Sequence, residues 1–321
     1  MANDGADVGL KKSYTKKEIV QMLETDFCSE DFYKLMSKAN TMSRKAYGKK
    51  GYIFAQIGLN AAPCSGGCQF CSLGCDNFRF DSAFEMSEEE FIAVLEKMNF
   101  EKIAALFLMT TADYQQEKYL KFCKIAREII PKEVILVANT GDFDFAYGEK
   151  LKGCGVGAVY HVVRLGEGKS TKLSPEIRKE SLNAAKKAGL EIYYCVEPIG
   201  AEHSYEEIAE EILRAVSYDV EVMAVMARVP VQGTAFEAVP EISEPEITKI
   251  AAVTRIVCDP RKSMNVHEPK RMPLLAGVNQ LYAEIGINPR DTEKDTAKNR
   301  GISVFEAEEM LSDAGYRIAE K

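Results

Sequence analysis

The sequence predicts an α/β chain folded as a (β/α)8 TIM-like barrel, with an N-terminal helical extension and a C-terminal tail helix. Three observations carry this. From residue 51 onward, eight short β-rich runs alternate with segments whose apolar residues recur every three or four positions. Such alternation implies parallel βαβ units, and eight of them suit a closed barrel. No Pro- or Gly-rich linker divides the 321 residues. A doubly wound open sheet satisfies the same alternation. The expected organisation is a leader with helices over 1–50 and a barrel with its C-terminal extension over 51–321, one domain overall.

The elements follow in order. "MANDGADVGLKKSYTKKE" is a polar leader without the apolar core of a secretory signal. "TKKEIVQMLETDFCSEDFYKLMSKANTMSRKAYG" reads as two helices, with Ile19, Met22 and Leu23 at helical steps. The strand readings are "GYIFAQIG", "IAALFLM", "EVILVAN", "GAVYHVV", "LEIYYCV", "VEVMAVMA", "KSMNVHE" and "AGVNQLYA". Helices are expected over 88–98, 115–129, 175–188 and 204–216. Ser174 caps the third of these and Gly189 stops it. "SEPEITKIAAVTRIVCD" adds a helix capped by Ser243 with Pro245 in its first turn. In the tail, "SVFEAEEMLSDAGY" is a helix from Ser303 to the stop at Gly315. Cys28, Cys123 and Cys258 fall in helical patterns, and Cys154 in a glycine-rich turn.

Composition narrows the function classes. A 46% hydrophobic content supports a large core without disulfides. No apolar run reaches the roughly 18 residues of a membrane span. The net charge of −8 disfavours a general nucleic-acid binder. Nine cysteines without framework spacing point to a reducing, cytoplasmic setting.

Four of those cysteines lie in "CSGGCQFCSLGC", from Cys64 to Cys75, directly after the first strand. That is the end of a barrel where chemistry is carried. Cys64, Cys68 and Cys71 on one tight loop can reach three corners of a cubane iron–sulfur cluster. Gly66 and Gly67 let the loop wrap closely. With Cys75 as a fourth thiolate the same stretch reads as structural zinc. Inert buried thiols are the third reading.

The pattern C-x-x-x-C-x-aromatic-C, with Phe70 before Cys71, resembles the signature of the radical S-adenosylmethionine enzymes. The resemblance implies a [4Fe-4S] cluster on Cys64, Cys68 and Cys71, with S-adenosylmethionine on the fourth iron. Cys75 is then a non-ligand. It further implies reductive cleavage to a 5′-deoxyadenosyl radical, and an electron donor such as ferredoxin or flavodoxin. "SPEIRKESLNAAKKAGL", "RVPVQGT" and "AGVNQLYAEIGINP" look like the biotin synthase branch, which includes the hydrogenase maturase HydE, methylornithine synthase and archaeal-type lipoyl synthase subunits. The likeness spans most of 17–315 and is patchy outside the cysteine loop. It implies that Arg178 holds the cofactor's carboxylate, that Glu167 contacts its ribose or amino group with Arg164 beside it, and that Met226 and Ala227 line the adenine pocket.

Barrel geometry places Thr110, Thr111, Asn139, Thr140, His161, Glu197, Glu268 and Asn279 at the substrate side, with Tyr193, Arg228 and His267 as candidate catalytic groups. Pro198 is expected to end the fifth strand. Such a polar rim suits a small polar or zwitterionic substrate. Biotin synthase carries a second cluster on cysteines of the second, third and fifth strands; the corresponding positions read here as Leu108, Ala138 and Tyr193, and Cys195 alone cannot hold one. Maturase-like or methylornithine-synthase-like chemistry, in cofactor or amino-acid biosynthesis, therefore ranks above sulfur insertion. The alternatives are an archaeal-type lipoyl synthase subunit completed by a second protein subunit, and a zinc-stabilised binding protein without catalysis.

Overall fold

Eight parallel strands close into a barrel in the computed structural model, which describes residues 13–291, 295–298 and 300–319. The polar leader read over 1–12 lies outside the described residues. The strands are β1 (Lys50–Gly58), β2 (Ile103–Met109), β3 (Ile135–Asn139), β4 (Val156–Tyr160), β5 (Glu191–Ile199), β6 (Val222–Ala227), β7 (Ser263–His267) and β8 (Gln280–Gly286). Each pairs in parallel with the next, and β8 pairs back onto β1 from Tyr52↔Gln280 to Gly58↔Gly286. That last ladder removes both sheet edges, so the open-sheet alternative falls.

Two helices precede the barrel, α1 (Lys16–Leu23) and α2 (Glu30–Tyr47). Then come α3 (Glu88–Lys97), α4 (Gln116–Ile129), α5 (Phe145–Gly153), α6 (Pro175–Ala188), α7 (Tyr205–Tyr218) and α8 (Glu244–Cys258). The tail helix α9 (Val304–Asp313) packs on β1 and β8, and Arg317–Ile318 extends the start of β1. Caps account for the helix starts. Ser87, Ser204 and Ser303 each accept from the third helical N–H, and a glutamate there reaches back to the cap.

The strands sort their side chains by alternation. Leu106, Leu108, Leu136, Ala138, Ile192 and Tyr194 pack outward against the helices. Phe54, Ala105, Phe107, Val137, Ala158, Tyr193, Val222 and Tyr282 form a separate buried cluster. Phe54 and Tyr193 sit on strands that are not neighbours, so they meet only through the interior, at 5.9 Å between ring centres. Phe107 and Tyr282 join them, with centres 4.9 Å apart. These four rings plug the barrel and floor whatever cavity lies at its C-terminal end.

Four local readings change. Leu108 and Ala138 face the helices, so the inward positions on β2 and β3 are Phe107, Met109, Val137 and Asn139. β8 begins at Gln280 rather than at 276, because the Asn279 side chain takes the Met264 N–H and donates to Lys50 O, ending the preceding turn. β5 runs through Pro198 to Ile199: a register shift between Val196 and Ile199 puts the missing N–H at a bulge. Cys28 lies exposed in the turn between α1 and α2 rather than in a helix.

Candidate functional site

The loop after β1 folds on its own backbone. Cys64 N donates to Leu73 O at 2.7 Å, Cys75 N to Cys64 O at 3.0 Å, and Cys71 N to Cys68 O at 3.1 Å. Asn77 Nδ2 donates to the carbonyls of Cys68 and Cys71 at 2.8 and 3.2 Å. Gly67 has φ +51, and a Cβ there would meet the Lys172 side chain at 2.7 Å, so the turn requires glycine. Ser72 N and Oγ both donate to Pro289 O at 3.0 Å, which ties the segment after β8 to this loop.

Cys64, Cys68 and Cys71 line one cavity at the C-terminal end of the barrel. Cys75 is exposed, off that wall, with Lys172 Nζ 3.3 Å from its sulfur. Three thiols on one cavity wall are a donor set that suits a cubane cluster. Desolvation pushes Cys68 up to about 11 and Cys71 up to about 12. Their thiolates therefore need positive charge beside them.

Two arginines share the wall. Arg178 on α6 donates from Nε to Val162 O at 3.1 Å and from Nη1 to Asp142 Oδ1 at 3.2 Å. Arg164, just past β4, sets Nε 3.2 Å from Glu197 Oε1. Its Nη1 is buried without a hydrogen-bond partner. Glu167 sits behind both: its carboxylate accepts from Arg164 N and Thr171 Oγ1 at 2.9 Å each and lies 3.6 Å from Arg178 Nε. It is buried behind the two arginines and does not line the cavity.

Away from the cysteines the wall is polar and aromatic. Asn139 Nδ2 donates to Gln56 Oε1 at 3.2 Å, and Thr110 Oγ1 lies 3.1 Å from Thr140 Oγ1. Tyr160 donates to Glu197. His267 stacks on Tyr282 at 4.5 Å, and its Nε2 is buried without a partner. Phe70, Met226 and Arg290 complete this wall. Arg290 pairs with Glu268 and, at 2.8 Å, with Glu284.

The structure thus brings Cys64, Cys68, Cys71, Phe70, Arg164, Arg178, Met226 and His267 to one cavity. It does not bring Tyr193 or Arg228 there. Tyr193 comes too early on β5 and belongs to the aromatic plug. Arg228 is bound by Glu202 at 2.6 and 3.0 Å and lies over the Phe236 ring. Ala227 is off the wall, as alternation from Met226 requires. His161 faces Asp142 and Arg178, Glu268 turns to Arg290 and Arg300, and Asn279 precedes its strand. Sequence reasoning missed Tyr160, Gln56 and Arg290. Tyr160 and Gln56 were legible by counting inward steps along their strands. Arg290 follows the last strand, where no periodicity points.

The cavity histidine is neutral. Burial, with the Arg290 charge, holds His267 down to about 3, and burial with Arg178 holds His161 down to about 4. An unfolded histidine protonates near 6.5, so the unfolded chain binds more protons as pH falls from 7 to 5. Stability is therefore expected to drop over that window by roughly 2 kcal/mol per such histidine. Asp142, brought down to about 2 by His161 and Arg178 against its own burial, stays ionised there and adds no slope. Denaturant titrations at the two pH values check this: His267→Phe should recover about 2 kcal/mol of the drop.

No family model matches the chain. The chain is 25% identical over 231 residues to the biotin synthase of Maridesulfovibrio salexigens, covering 70% of each. It is 24% identical over 292 residues to that of Pelotomaculum thermopropionicum, covering 85% of this chain and 88% of the other. Among solved structures, methylornithine synthase (PylB) superposes with a TM-score of 0.80 at 17% identity over 96% of this chain and 95% of its own. The FeFe-hydrogenase maturase HydG of Carboxydothermus hydrogenoformans gives 0.81 at 18%, over 97% of this chain and 77% of its own. These two likenesses bear on the fold. Among the described residues no helix is long and apolar enough to cross a membrane.

Proposed function

We propose that the chain is a biotin synthase-like member of the radical S-adenosylmethionine enzymes and that it opens radical chemistry on a small polar substrate held on the aromatic floor of its barrel. The carrying observation is that the three motif thiols and both arginines share one cavity with the polar groups Gln56, Asn139, Tyr160, Glu197 and His267. A [4Fe-4S] cluster with S-adenosylmethionine, when bound, supplies reductive cleavage of the sulfonium and a 5′-deoxyadenosyl radical that abstracts hydrogen.

The chain's own residues do the rest. Cys64, Cys68 and Cys71 would hold the cluster. Arg178 and Arg164 present guanidinium groups to the cofactor's carboxylate, and Glu167 fixes those forks in place. Met226 and Phe70 offer apolar faces to its adenosyl part. The plug of Phe54, Phe107, Tyr193 and Tyr282 closes the barrel below and excludes water from the reacting side. Neutral His267 offers one hydrogen bond without adding charge.

Sulfur insertion on a second cluster is not favoured. Cys195 is the one cysteine on a barrel strand among the described residues, and a sacrificial cluster needs several thiolates. Reducing equivalents come from a ferredoxin- or flavodoxin-class donor. Anaerobically reconstituted protein given S-adenosylmethionine and dithionite is expected to hold about four irons per chain and to release 5′-deoxyadenosine. Stoichiometric zinc with no cleavage would overturn the reading.

A further inference from the structure

Cys75 is the cysteine of the loop after β1 that the cavity does not use, and a lysine is held against it. Lys172 N donates to Gly66 O at 2.8 Å, and Gln69 N donates to Ser170 O at 2.9 Å. The turn before α6 is therefore fastened to the cysteine loop by its backbone. The Lys172 stem then runs over Gly67, where an added Cβ would meet its Cδ at 2.7 Å and its Cε at 2.9 Å. Its Nζ ends 2.7 Å from Asp76 Oδ2 and 3.3 Å from Cys75 Sγ. Backbone, stem and head group are thus all placed, while the thiol and the amine both stay open to solvent.

An exposed thiol is open to peroxide. Its sulfenic acid goes on irreversibly to sulfinic acid unless a nucleophile captures it first. At Cys75 the nucleophile in contact is an amine. We propose that Cys75 and Lys172 form a reversible sulfur–nitrogen crosslink when the protein meets peroxide. The crosslink caps the thiol and joins the cysteine loop to the turn that carries Glu167. In the first step the peroxide O–O bond breaks, the Cys75 sulfur takes a hydroxyl, and water leaves. The sulfur is oxidised by two electrons and the peroxide is reduced. Lys172 sheds its ammonium proton to solvent, and its nitrogen attacks that sulfur. The S–N bond forms, the S–O bond breaks, and the hydroxyl leaves as water with one N–H proton. A dithiol reverses it: the S–N bond breaks, thiol and amine return, and the dithiol leaves as a disulfide.

The test uses the full chain, with and without a reconstituted cluster. It is given roughly one equivalent of hydrogen peroxide, alkylated, and digested with trypsin at neutral pH without reductant. Mass spectrometry should find residues 51–79 joined to residues 170–178, with the remaining cysteines alkylated. The joined species should weigh about 2 Da less than the two peptides together, the two hydrogens lost in forming the bond. Dithiothreitol should return both peptides. Four cysteines share residues 51–79, so Cys75→Ser assigns the sulfur: the crosslink should vanish. In Lys172→Gln it should also vanish, and the sulfinic-acid fraction at Cys75 should rise about tenfold. Both side chains are exposed, so neither change threatens the fold. Cys75 going to sulfinic acid in wild type with Lys172 free, a crosslink that survives Cys75→Ser, or an unchanged sulfinic-acid fraction in Lys172→Gln would each overturn the inference. The metal-free arm is scored without cluster or S-adenosylmethionine, so a failure of the functional reading leaves this result separate.

Discussion

Cys68→Ala is expected to abolish 5′-deoxyadenosine formation, a loss of about 10³-fold or more, and to leave less than about one iron per chain where wild type holds about four. Cys75→Ser is expected to keep both within about twofold of wild type. The two cysteines share a loop and a residue type, so the contrast isolates position. Cys68 is buried on the cavity wall among Cys64, Cys71 and the arginines. Cys75 is exposed and faces Lys172 and Asp76 outside it. Removing Cys68 takes one of three anchors from a group that has no fourth protein thiolate on that wall. The substitution deletes only a sulfur, so the metal-free chain should unfold close to wild type. Iron and sulfide analysis beside a melting curve then separates lost ligation from lost fold. Iron retained in Cys68→Ala but lost in Cys75→Ser would reverse the assignment.

The barrel was legible because its strands and helices announce themselves by period, and the cysteine loop because its spacing encodes a shape. What lay outside those signals was misread. Leu108 and Ala138 face the helices rather than the interior; a one-residue slip on a strand turns a side chain to the other face. α5 escaped because "FAYGEKLKG" has little apolar periodicity. Its Gly148 lets it lie close on α6, where an added Cβ would come within 3.1 Å of the Ala188 Cβ. Arg228 looked like a rim residue from its place at the end of β6. Only the fold reveals that Glu202 already binds it. Arg290 needed tertiary structure outright, since it reaches the cavity through the Ser72–Pro289 contact between segments over 200 residues apart. Charge pairs made across such distances leave no local trace in sequence.

Arg178→Lys is expected to weaken the apparent affinity for S-adenosylmethionine about 50- to 100-fold, or about 2.5 kcal/mol, with the rate at saturation changed much less. Lysine keeps the positive charge but not the planar fork. In the wild-type chain Nε and Nη1 are engaged by Val162 O and Asp142, so the guanidinium is fixed on the cavity wall before any ligand arrives. A lysine ammonium can satisfy Asp142 or a carboxylate on the ligand, and loses the preorganised second bond. Arg178→Met is the less informative change. It strips the cation from between half-buried Asp142 and buried Glu167 and should cost about 3 kcal/mol of stability by removing the positive charge beside Glu167. The pH dependence tells the two effects apart. Asp142 is held low partly by Arg178, so its contribution is present above the ordinary aspartate range and is lost as pH falls toward about 2. Arg178→Lys should preserve most of that acid resistance while losing affinity, and Arg178→Met should lose both. Binding isotherms at fixed pH, beside acid unfolding curves of the metal-free proteins, read the two quantities independently. An Arg178→Lys protein with unchanged affinity would make Arg178 a structural partner of Asp142 and leave the carboxylate to Arg164.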